Sequence, residues 1–226
     1  MKDRVAEKTK GTCGYCGKEM TRGGMSRHLA SCARRKEVIA AADAVKGLDQ
    51  TLLHLLVQDA RPGTFWLHLE MRGGATLDDL DEYLRSIWLE CCDHLSAFSV
   101  GRWGEELDMS LKAGKVFAPG VVLHHAYDFG STTHSLVTCV SVRRGKPTTR
   151  HPIVLMARNV PLALECNECG APATYVCMEC AYDGNAGLCE EHAEDHPHED
   201  WGGPSLLVNS PRVGVCGYDG PAEPPY

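Results

Sequence analysis

The spacing of cysteine and histidine constrains this chain more than any other feature. Near the C-terminus it reads Cys166-x2-Cys169-x7-Cys177-x2-Cys180-x8-Cys189-x2-His192-x3-His196-x-His198. Four close pairs supply eight donors, enough for two tetrahedral Zn(II) sites. A segment this short buries little apolar surface, so the metal must supply much of its folding energy. Toward the other end, Cys13-x2-Cys16-x11-His28-x3-Cys32 has the spacing of one finger that closes on Cys rather than His. Together these twelve donors predict three Zn(II) ions. Each site has four protein ligands and no open position for water, which points to structural rather than catalytic metal.

Spacing does not settle how the eight C-terminal donors share two ions. A cross-braced arrangement puts Cys166, Cys169, Cys189 and His192 on one ion and Cys177, Cys180, His196 and His198 on the other. A sequential arrangement joins the first two pairs and the last two, and a single ion with donors left over is the third option. Cys216 could displace His196 or His198, but eight donors already suffice, so it reads as a buried turn or strand cysteine. Cys91-Cys92 read as core thiols at the end of a helix. Disulfides are the competing explanation for the pairs. Met1-Lys2-Asp3-Arg4 is not followed by the apolar stretch of a secretion signal, and no apolar run is long enough for a membrane span. The sequence therefore predicts a cytoplasmic protein with no membrane partner, where thiols serve metals rather than disulfides.

Charge is unevenly placed. Residues 1–46 carry eleven Lys/Arg against five Asp/Glu, a balance of +6, while the rest of the chain carries −13. Arg22, Arg27, Arg34 and Arg35 lie on or just beyond the finger helix, where they could meet phosphates. One finger reads only about three base pairs, so sequence-specific recognition by one copy is not expected. The same segment could equally bind another protein.

The pattern between the two metal arrays predicts an α+β core with a mixed β-sheet and one main packed helix. Residues 1–33 form the finger, 34–50 a helical connector, 51–158 the core, 159–200 the two-zinc module and 201–226 a Gly/Pro-rich tail. In the finger, helix over Met25–Arg35 places His28 and Cys32 on one face. Thr51–Gln58 and Phe65–Met71 flank the turn Asp59-Ala60-Arg61-Pro62-Gly63 and read as a hairpin. A helix from Leu77 to about Cys92 starts at a capping pair, Thr76 and Asp79. Its buried stripe runs through Leu77, Leu80, Leu84, Ile87, Trp88, Cys91 and Leu95. Leu95–Val100 is a short strand, Val121–Phe129 and Leu136–Val142 form a second hairpin, and Ile153–Arg158 adds a strand.

An active site has one candidate location, the second hairpin with His124, His125, Tyr127, Asp128 and His134. Strand alternation sends His124 and His125 to opposite faces, and an exposed polar face with a tight turn accounts for them. The chain has no phosphate loop, dinucleotide fingerprint or Gly-x-Ser-x-Gly elbow.

Several strings resemble the Ri-plasmid ORF-3-like family over about residues 51–220. They are Phe65-Trp66-Leu67-His68-Leu69-Glu70-Met71, Thr76-Leu77-Asp78-Asp79-Leu80-Asp81, and Leu84 through Cys92. Tyr127-Asp128-Phe129-Gly130-Ser131-Thr132-Thr133 and Asn209 through Tyr218 complete the set. The resemblance implies an α+β fold and an association with plasmids and transposons, with no established activity. Members are sometimes labelled transposon resolvases. The nucleophilic serine and arginine cluster that a serine resolvase requires are not recognisable in this chain. The module at 166–198 also resembles a B-box, a protein-interaction finger. The sequence thus favours a non-enzymatic zinc protein of mobile elements whose partner is a protein or a nucleic acid. A DNA-binding accessory factor and an enzyme centred on Tyr127–Thr133 are the competing readings.

Overall fold

The computed structural model describes residues 9–60, 63–184, 186–198 and 203–226. Basic residues at positions 2, 4 and 8, two residues of the first hairpin turn and the start of the tail at 201 lie outside that set. The chain divides into two compact units. One comprises residues 1–84, 95–160 and 226, the other residues 85–94 and 161–225.

The first unit is mostly sheet with few helices. In chain order it contains β1 (Lys10–Cys13), β2 (Glu19–Thr21), α1 (Arg22–Ser31), α2 (Ala33–Asp43), β3 (Gln50–Asp59), β4 (Trp66–Arg72) and α3 (Leu77–Leu84). Then come β5 (Ser96–Ser99), α4 (Ala113–Val116), β6 (Val122–Tyr127), β7 (Thr133–Gly145) and β8 (Ile153–Asn159). The eight strands form one sheet in the order β2-β1-β8-β4-β3-β7-β6-β5. Every pair is antiparallel, which corrects the expected mixed sheet. Local sequence encodes alternation but not strand direction.

Both expected hairpins form, as β3–β4 and β6–β7. Asp59 fixes the first turn by accepting from the backbone N–H of Gly63 (2.8 Å) and of Phe65 (2.7 Å). The cross-strand register places Leu67, Val57, Val137 and Leu123 in one row and Trp66, Gln58, Leu136 and His124 in the row on the opposite face. Both faces are covered. α3 lies over the first, where Asp81 accepts from Ser96 Oγ (2.8 Å) and pairs with His125 Nε2 (2.7 Å). On the other face Met25 and Leu29 of α1 pack with Trp66, Met156 and Ala157. That is why all but the last residue of β4 is buried, His68 and Glu70 included.

The finger segment is therefore not a separate bead. β1 pairs with β8 through Gly11–Asn159, Thr12–Arg158 and Cys13–Ala157, extending the core sheet. Gly11 is required there, because a Cβ would stand 2.2 Å from both Arg158 O and the Trp66 ring. Buried polar groups hold the second helix of this layer. Arg35 donates to Leu29 O (3.0 Å) and Glu70 Oε2 (3.1 Å), and Arg143 donates to both Glu70 oxygens (3.0 and 2.7 Å). His54 Nε2 meets His68 Nδ1 at 2.9 Å nearby.

The capping pair forms reciprocally: Thr76 N–H donates to Asp79 Oδ2 (2.7 Å) and Asp79 N–H to Thr76 Oγ1 (3.1 Å). The helix it starts is shorter than expected. α-Helix ends at Leu84, a π-helical turn runs over Arg85–Leu89, and Cys91-Cys92 follow in bends. Leu95, assigned to the buried stripe, is exposed.

The second unit contains β9 (Tyr175–Val176), α5 (Met178–Asp183), β10 (Gly187–Leu188), α6 (Glu190–Glu194) and β11 (Ser205–Leu206). Its small sheet has the order β10-β9-β11. The Gly/Pro-rich tail thus supplies a strand. It also supplies the buried residues Ser210, Arg212 and Tyr218.

Candidate metal centres

The first donor group is built by a turn, α1 and the residue that follows α1. Cys13 N–H donates to Lys18 O (3.0 Å) and Gly17 N–H to Cys13 O (2.8 Å), a tight knuckle that needs the left-handed Gly17 (φ 71°). It turns Cys13 and Cys16 toward α1, where His28 Nε2 lies 3.2 Å from Cys16 Sγ. Cys32 does not continue that helix. It adopts φ −57°, ψ 117° and separates α1 from α2, correcting the expected continuous helix through Arg35. The four donor atoms of Cys13, Cys16, His28 and Cys32 lie within 4.8 Å of one another.

The same knuckle recurs at Cys166. Its N–H donates to Ala171 O (2.7 Å), Gly170 N–H donates to Cys166 O (2.8 Å), and Gly170 is left-handed (φ 74°). Cys166, Cys169, Cys189 and His192 form the second group, with Cys169–Cys189 at 3.8 Å and His192 Nδ1 3.1 Å from Cys189 Sγ. Cys177, Cys180, His196 and His198 form the third. There Cys180 Sγ lies 3.4 Å from His196 Nε2 and 3.3 Å from His198 Nδ1. The donor pairs thus alternate between groups along the chain. Gly187 permits the close crossing, since a Cβ there would stand 2.3 Å from Glu165 O.

These separations suit an ion. Tetrahedral thiolates at about 2.3 Å from a metal stand about 3.8 Å apart. A disulfide requires about 2.05 Å, and all twelve cysteines are free. Backbone geometry also favours thiolate at two ligands. The Lys18 N–H lowers the Cys16 pKa. Burial pushes Cys166 up, but the N–H groups of Cys189, Cys169 and Glu168 outweigh it and bring it to about 6.

A fourth group was not anticipated. Cys91, Cys92, His94 and Cys216 also place four donors within 4.8 Å of one another. This corrects two readings. Cys92 and Cys216 are exposed rather than core residues, and Cys216 joins neither group of the C-terminal array. The available signal was the spacing Cys-Cys-x-His, obscured by assigning the two cysteines to a continuous helix.

The proposed phosphate-binding arginines are not equivalent. Arg27 and Arg34 are exposed, and Arg34 pairs with Glu37 at 2.8 Å. Arg22 is half-buried and donates to Gly63 O (3.1 Å). Arg35 is buried against Glu70, which removes it from the candidate surface. The hairpin histidines also differ from expectation. His125 is fully buried, paired with Asp81 and tilted against Phe98, whereas His124 and His134 are half-buried. An imidazole with no exposed surface cannot meet a substrate in this conformation.

No family model and no curated protein matches the chain. Among solved structures, it is similar to a protein of unknown function, MM3350, from Methanosarcina mazei Go1. The TM-score is 0.41 at 17% identity, covering 54% of this chain and 76% of that one. No helix among the described residues is long and apolar enough to cross a membrane.

Proposed function

We propose that this is a zinc-structured scaffold that binds another macromolecule and carries out no reaction at its metals. Cys13, Cys16, His28 and Cys32 hold one Zn(II), and the cross-braced array at 166–198 holds two more. The observation that carries this reading is closure: each group has four protein donors, which fill a tetrahedral ion and leave no position for water or substrate. Glu179 Oε2 stands 4.0 Å from His198 Nε2, on the ring edge away from the thiols, where a carboxylate orients a ligating imidazole.

The link to mobile elements rests on the resemblance to Ri-plasmid ORF-3-like proteins. Its strings fall on positions with clear physical demands: the doubly covered strand β4, the Thr76–Asp79 cap, and the turn containing left-handed Asp128 (φ 65°). Exposed Arg27 and Lys36, with the +6 balance of residues 1–46, favour nucleic acid as the second reading of the partner. Full-length protein should be recovered from its host with and without nuclease, and titrated with labelled duplex at rising salt. A partner that survives nuclease supports protein binding. A duplex affinity whose salt slope falls by about two units in Arg27→Ala/Arg34→Ala supports DNA. Fewer than three zinc ions per chain would sink the scaffold reading itself.

A further inference from the structure

Cys91, Cys92, His94 and Cys216 lie outside the twelve ligands assigned above. We propose that they form a fourth metal site, a Cys3His centre for a thiophilic divalent ion of the Zn(II) class. All four belong to the second unit, although Cys92 and Cys216 are 124 residues apart in sequence.

The local backbone explains how adjacent cysteines converge. On a regular helix or strand their side chains would diverge. Here the π-helical turn closes with Glu90 N–H on Arg85 O (2.8 Å), and the chain then bends through left-handed Asp93 (φ 59°). Arg85 clamps the bend by donating to Glu90 Oε2 and Asp93 Oδ1, both at 2.6 Å. This brings His94 back onto the cysteines, with Nε2 2.9 Å from Cys92 Sγ. From the other segment, Cys216 adopts φ 54° between left-handed Gly214 and Gly217. Its Sγ stands 3.6 Å from Cys92 Sγ and 3.4 Å from His94 Nε2, and Cys91 Sγ is 3.7 Å from Cys92 Sγ. The sulfur–sulfur distances approach the edge of about 3.8 Å of a thiolate tetrahedron around a metal.

Charge supplies an independent argument. Three thiolates on a divalent ion leave a net charge of −1. Arg212, with no exposed surface, points its guanidinium at this site, Nε lying 3.3 Å from Cys91 Sγ. A guanidinium N–H at this distance complements a metal-bound thiolate and orients it. Ser210 fixes that arm by donating its hydroxyl to Trp88 O (2.5 Å) and accepting from Arg212 N–H (2.8 Å). The ion staples the 209–218 segment to the bend after Leu89.

The full zinc-loaded chain should carry four ions by native mass spectrometry. Cys216→Ser and, separately, Cys92→Ala should each carry three, with both exposed thiols protected from maleimide in the loaded wild type and labelled after chelation. In Co(II)-substituted protein, the wild-type minus Cys216→Ser difference should contain thiolate-to-cobalt charge-transfer absorption. Three ions in the wild type, an unchanged count in both variants, or a Cys92–Cys216 disulfide in reduced preparations would overturn the assignment. A wild-type count of three leaves the scaffold reading intact, whereas a lower count removes that reading too.

Discussion

Removing Glu70 tests whether the finger layer is fastened to the core by charge. Its carboxylate is buried and accepts from Arg35 Nη2 at 3.1 Å and from Arg143 Nε and Nη2 at 3.0 and 2.7 Å. Glu70→Ala leaves two guanidinium groups facing a carboxylate-sized gap. Breaking a buried pair by deleting one partner costs about 3–5 kcal/mol. Arg143 retains some exposure and can turn toward water, so the lower part of that range, about 3 kcal/mol, applies. For a unit of this size that lowers the melting temperature by about 6–12 °C. The control is Arg34→Ala, whose partner Glu37 is exposed, and which should melt close to the wild type. Replacing all three charges together, as Arg35→Met/Glu70→Leu/Arg143→Met, should recover most of the loss, because no uncompensated charge remains. Thermal melts by circular dichroism at fixed zinc read all three proteins. Glu70→Ala melting within a degree of Arg34→Ala, or the triple variant melting below Glu70→Ala, would refute the reasoning.

Three further outcomes follow from the first unit. Burial holds His54 at about 3 and His68 at about 4, below their ordinary 6.5, so both stay neutral in the folded chain while the unfolded chain protonates near 6.5. Stability is therefore full above about pH 6.5 and falls toward pH 4 by about 1.4 kcal/mol per pH unit for each histidine. Urea melts of His54→Gln/His68→Gln should show a shallower loss between pH 7 and 5 than the wild type, and equal slopes would refute neutral burial. Thr76→Ala should cost about 1 kcal/mol by opening the reciprocal cap of α3, measured as a shift in urea midpoint. Gly11→Ala should detach β1 from β8, seen as faster amide exchange at Gly14, which donates to Met156 O (2.8 Å), and at Val160, which donates to Lys10 O (3.0 Å), with β3 and β7 unchanged.

Sequence was most informative where one local cause acts alone. Alternation in Trp66–Met71, turn chemistry at Asp59 and the Thr76–Asp79 cap are short-range signals, and each element formed where its signal lies. The ligand spacing likewise marked twelve of the clustered donors. Long-range partnership was not legible. Nothing near Gly11 announces that Arg158 will pair beside it, and nothing near Cys91 points to Cys216. Arg35 looked like a surface cation because its neighbours are basic, but its position is set by Glu70 on a distant strand. Strand direction in the sheet is hidden for the same reason.

On the zinc reading proposed above, the place of Cys13 at the end of β1 ties solubility to metal. β1 and the three-residue β2 are the last strands on their side of the sheet, so their release would leave β8, Ile153–Asn159, as an open edge. An apolar strand with unpaired N–H and C=O groups is a template for strands of other copies. Loss of the first ion would then appear as aggregation of the chain before any melting of its central strands.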